Sequence, residues 1–219
     1  MPVVSFSFAC KYTTGRFVNV SLVQDALQRT GAVFFLECNV RFGKDVTGGK
    51  LNRIYADVVQ DTGVLAWPMQ SKNAVSSLTH KKMFEYFHTD AENFLFVPMM
   101  SGDVLLLVNT EKINADIMKP WVQCAITQDC IIPIGAQSGG CRFNKKPQYR
   151  YSGCHSYDTS ALNIVLALEF KLDSGKYCYD GEDMFAVVSL EEAVAALRGL
   201  EQNSTTEGNG GQTVESTQL

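Results

Sequence analysis

The chain has 219 residues, 46% of them hydrophobic, and a net charge of −4: enough to bury one sizeable core, and too weak a field to gather nucleic acid, membrane phosphate or acidic substrates from a distance. The opening MPVVSFSFACKYTTGR places no basic region before a sustained apolar run, and no window approaches the ~20 apolar residues of a membrane span, so a cytoplasmic protein without a membrane span is expected. Seven cysteines, scattered without a CxxC pair, read as buried free thiols.

In chain order, Val4, Phe6, Phe8 and Cys10 alternate along a strand over residues 3–12. A helix follows, capped by Ser21 with Gln24 at the reciprocal position, striped by Leu22, Val23, Ala26 and Leu27, and closed by Gly31. Residues 32–42 read as a core strand and residues 54–67 as a hairpin turning at Gln60-Asp61-Thr62-Gly63. Val75, Leu78, Met83, Phe84 and Phe87 predict a second helix over 74–87. Another hairpin joins 94–97 to 104–108, and extended segments fill 121–134 between Pro120 and Pro133.

Residues 135–160, rich in Gly, Ser, basic and aromatic residues, form the longest irregular stretch. The run ALNIVLALEFKLDSGKYCY over 161–179 then reads as a strand covered on both faces, a turn at Asp173-Ser174-Gly175 and a returning strand, around which the rest is organised. A short strand over 184–188 precedes a final helix with a capping box opened by Ser189. Residues 201–219 have no period and almost no apolar content, the pattern of a disordered tail. The expected fold is α+β: a mixed or mainly antiparallel sheet with about three helices in one domain over residues 1–200, followed by the tail.

Four constellations carry chemistry. The glycine loop 43–50 lacks the Gly-Lys-Ser/Thr step of a phosphate cradle, since Leu51 follows Lys50, and reads as a turn. Arg142, Lys145, Lys146 and Arg150 interleave with Phe143 and Tyr149, so bases could stack while cations meet phosphate, which makes this segment the nucleic-acid alternative in an otherwise acidic chain. The thiols around His155 lack the tight pairs of a structural zinc site, and no metal or cofactor is expected. His155 itself lies in the irregular loop upstream of Asp180; as base and orienting acid they would need a cysteine from elsewhere, with Cys38 and Cys10 as candidates.

The run GKYCYDGEDMFAVVSLEEAV over 175–194 resembles the closing segment of ubiquitin-specific and other papain-like cysteine proteases. There a Gly-Lys-aromatic strand precedes the acid that orients the catalytic histidine, and the resemblance implies that role for Asp180. Where that family carries Gly-His-Tyr, this chain has Ser160-Ala161-Leu162-Asn163, and the Asn-Thr-Cys box is absent, so the resemblance implies an inactive remnant rather than a hydrolase.

The ending Ser216-Thr217-Gln218-Leu219 resembles PDZ-domain ligands, with Leu219 as the buried aliphatic residue and Thr217 as the hydroxyl two places back. The sequence is therefore read as a non-catalytic interaction protein with a protein partner, a PDZ domain among the candidates, and with self-association open. Its compact length and Val, Phe and Cys usage suggest a viral accessory or structural protein, working in host cytoplasm if so. The papain-like hydrolase, a capsid or coat subunit and the nucleic-acid binder stand as alternatives.

Overall fold

A computed structural model describes residues 18–37, 39–144, 147–181, 184–189, 191–192 and 194–195. Its centre is strand β4 (Met100–Val108), whose run Val104 to Val108 is buried throughout. β1 (Ala32–Leu36) pairs antiparallel on one side, from Ala32↔Val108 to Leu36↔Val104, and β3 (Val64–Pro68) on the other, with a register shift between Ala66 and Pro68. A second antiparallel sheet joins β2 (Val40–Phe42) to β5 (Phe185–Val187). The α+β class and the antiparallel pairing expected from the sequence are what the chain adopts, with seven α-helical segments among the described residues.

The three-stranded sheet is covered on both faces because its side chains alternate. Val33, Phe35, Leu105 and Leu107 pack with Val20, Val23 and Leu27 of helix α1 (Val18–Thr30) and with the helices of the C-terminal half. Phe34, Leu36, Leu106 and Val108 pack the other way, against Val58 of helix α2 (Gly48–Gln60), Trp67, Val40 and Met184.

The run read as the central strand is helix α7 (Tyr157–Glu169), a correction with a clear cause. Residues 160–167 are all buried, and Ile164 to Leu168 is apolar without interruption, so that stretch shows no helical period; the polar stripe Thr159, Ser160 and Asn163 marks only the first half of the helix and is itself buried, apart from the half-buried Thr159. Its place in the core is as expected; its conformation is not. Asn163, wholly buried, fixes it to the sheet: its Nδ2 donates to Met100 O (3.0 Å) and its Oδ1 accepts from the Met100 N–H (2.7 Å). The turn at Asp173 does form, with its side chain accepting from the Gly175 N–H at 3.2 Å.

Other elements differ from expectation for local reasons. The first half of the 54–67 hairpin is α2, capped by Thr47, whose hydroxyl accepts from the Lys50 N–H at 3.3 Å. The helix over 74–87 is two pieces, α3 (Val75–Leu78) and α4 (Lys81–Tyr86), parted where Thr79 and His80 are extended. A 3-10 turn, Ala91–Phe94, replaces the strand before β4. The segments over 121–134 are helices α5 (Lys119–Ile126) and α6 (Gln128–Ile131); α5 continues directly from a π-helical turn (Ile113–Met118), and Pro120, which has no N–H to donate, lies where the wider turn gives way to α-helix.

Helix α1 forms with Gly31 at φ 77 as its end, though the chain is already helical at Val18, ahead of Ser21. The capping box forms too: the Ser189 N–H donates to Glu192 Oε2 (2.7 Å) and the Glu192 N–H to Ser189 Oγ (3.2 Å). The strand over 3–12 and the tail over 201–219 lie outside the described residues. No described helix is long and apolar enough to cross a membrane.

Candidate functional site

The irregular loop is held by covalent and main-chain ties. Cys141 is bonded to Cys154 across the loop, and Cys124 to Cys130 across the α5–α6 junction, which corrects the expectation of free thiols for four of the seven. The first pair meets across 13 residues of irregular loop and the second across six at a helix junction, neither with the spacing of a CxxC pair. The loop lies against α3: Ser76 Oγ donates to Tyr149 O (2.8 Å), the Ser152 N–H to Ser77 O (2.8 Å) and the Ser156 N–H to Leu78 O (3.0 Å). Arg142, Phe143 and Arg150 are exposed on it, and Tyr149 meets the ring of Phe96 edge-on at 5.9 Å. Lys145 and Lys146 lie outside the described residues.

His155 is 1% exposed and both ring nitrogens face main chain. Nδ1 accepts from the His80 N–H at 3.2 Å and Nε2 faces Ile131 O at 3.3 Å, so the proton belongs on Nε2. Burial pulls its pKa down to about 4, the carbonyl of Ile131 opposing and His80 assisting. Asp180 is exposed, beyond the point where the Tyr179 N–H joins Ala66 O of β3 at 2.8 Å. It bears on the half-buried Cys178, whose thiol pKa is raised first by burial and then by this carboxylate. The sulfur adjoining His155 in sequence, Cys154, is committed to its disulfide. Cys10, Cys38 and the terminal Ser216, Thr217, Gln218 and Leu219 lie outside the described residues.

A cleft that the sequence did not suggest runs past these features. Its middle is a cavity of about 320 Å³ whose lining includes Glu37 after β1, Ser101 and Asp103 at the start of β4, and Asp158 and Thr159 in the first turn of α7. A Cβ at position 102 would collide with Thr159 Oγ1, so Gly102 is what lets the strand pass under the helix. Ser101 Oγ donates to Asp103 Oδ2 at 2.9 Å, and Asp158 Oδ1 accepts from the Thr159 N–H at 3.0 Å. Among the described residues no three His, Cys, Asp or Glu side chains are placed to hold a metal ion.

Two further cavities adjoin the middle one, and Met69 lines all three. One, of about 220 Å³, shares Ser101 and Asp103 and is walled by Trp67, Val104, Phe185 and Val187. There Trp67 stacks on Tyr179 (5.0 Å between centroids) and meets Phe185 edge-on (5.3 Å). The other, of about 530 Å³, shares Ser156 and is bordered by Lys72, Phe143, His155 and the Cys141–Cys154 bridge. The three cavities thus neighbour one another through shared lining residues, with carboxylates at the first, aromatic rings at the second and the stapled loop beside the third. Its residues come from positions far apart in the chain, and only their places at strand ends could have marked them. No family model, curated protein or solved structure matches this chain.

Proposed function

We propose that the chain is a non-catalytic protein-interaction protein that holds an extended segment of a partner in the cleft lined by Met69. The observation that carries this is the adjacency of three cavities sharing Met69, with Glu37, Asp103 and Asp158 in the middle and Trp67 and Phe185 at one end. Such a lining suits a segment with a basic side chain over the carboxylates and an apolar one against the rings. The engagement of both His155 nitrogens by main chain supports the non-catalytic half of the proposal. The two disulfides favour an oxidising compartment over the cytoplasm that the sequence suggests.

The test is a titration of the full chain, carrying Trp121→Phe so that Trp67 is the single emitter, with the blocked peptide acetyl-Thr-Val-Thr-Arg-Thr-Leu-Thr amide, followed by tryptophan fluorescence. Saturable binding at about 100 μM or tighter is expected, with at least about tenfold loss when glutamate replaces the arginine and a comparable weakening in Asp103→Asn. Equal binding of the two peptides, or none, contradicts the proposal.

A further inference from the structure

The edge of β5 adds a mode of binding to that proposal, on which this inference rests. Met184 O accepts from the Gly43 N–H at 2.8 Å, and the Val188 N–H reaches Asn39 O at 2.7 Å. Between them the register is Val40↔Val187, Arg41↔Ala186 and Phe42↔Phe185. Antiparallel ladders bond at alternate residues. Met184, Ala186 and Val188 therefore turn their main chain towards β2, while Phe185 and Val187 turn theirs outward. Among the described residues no hydrogen bond engages these outward N–H and C=O groups, and Val187 is 62% exposed. The Phe185 and Val187 side chains, with Val40, stand over the 220 Å³ cavity that Trp67 and Asp103 also line. An unpaired edge beside a side-chain cavity offers both halves of strand recognition: a ladder for affinity and a pocket for specificity.

We propose that this edge receives a basic extended segment of a partner protein as a third strand, bonded to the main chain of Phe185 and Val187. Alternate side chains of the segment descend towards Trp67, and a cationic one meets Asp103. Charge complementarity favours this occupant, since Asp103 is shared with the cavity that Glu37 and Asp158 line. The chain's own tail beyond residue 200 carries Glu201, Glu207 and Glu215 and no Lys or Arg. Two other occupants are a second copy of the chain and the alternating segment of residues 3–12.

The experiment uses the full chain and the same peptide with single N-methyl groups placed along its backbone. Strand addition predicts a period of two: methylation at one alternate set weakens binding by about tenfold or more, and at the other set by no more than about twofold. Val187→Pro deletes an outward N–H without touching the ladder to β2, and should weaken binding to a similar degree while melting like the parent. The amides of Phe185 and Val187 should exchange freely in the chain alone and slow when peptide is added. A peptide that binds with no period, and binds Val187→Pro undiminished, leaves the cleft as the docking site and overturns strand addition. A peptide that does not bind overturns both. Protection of these amides in the peptide-free chain overturns the proposal too, assigning the edge to residues 3–12 if independent of concentration and to a second copy if it grows with concentration.

Discussion

Burial of His155 ties stability to pH. In the folded chain its pKa is about 4, while in the unfolded chain it should lie near 6.5. The folded state thus holds the neutral ring, and this site imposes no penalty above about pH 6.5. As pH falls from there towards 4 the unfolded chain takes up the proton first, and the loss grows to roughly 3 kcal/mol. Urea melts at pH 7.5 and 4.5 should show the midpoint falling, with a shallower fall in His155→Gln; equal slopes in the two proteins would contradict the assignment. That His155 was singular was legible from its setting in an irregular loop. That its partners are the His80 N–H and the Ile131 carbonyl was not, because both come from distant segments.

At the scale of elements, the Cys141–Cys154 bridge closes a loop across a separation of 13 residues. Its main effect should be to restrict the unfolded chain, by about 3 kcal/mol for a loop of this length. Replacing both cysteines by serine should lower stability by that order and expose residues 142–153 to proteolysis, and a double variant as stable and as resistant as the parent would show that the α3 hydrogen bonds suffice alone. The elements that the sequence revealed were those with a signal inside one window: the stripe of α1 closed by Gly31, the buried strand β1, and the reciprocal bonds of Ser189 and Glu192. The misread ones lack such a signal. α7 is apolar without a break from Ile164 to Leu168, and α2 has the short Val58-Val59 run of a strand. Pro120 within the helical run that includes α5, and Pro133 just after the short α6, suggested extended chain.

Over the whole molecule, the class of fold was legible because apolar alternation and helical caps are both abundant, but the cleft was not. Glu37, Met69, Asp103, Asp158 and Phe185 become neighbours only because β4 is the middle strand, with β1 and β3 on its flanks and α7 crossing its start. Nor does net charge reveal it: at −4 the chain's field is weak, so recognition must depend on carboxylates gathered locally. The most direct test of partner docking is a map of amide chemical-shift changes on the isotope-labelled full chain as the arginine peptide is added. Docking in the cleft and on the β5 edge should shift a continuous set at Met69, Ser101, Asp103, Phe185 and Val187, leaving the surface of Phe96 and the half-buried Tyr149 unmoved. Changes confined to that surface, or scattered without reaching Met69 and Asp103, would contradict it.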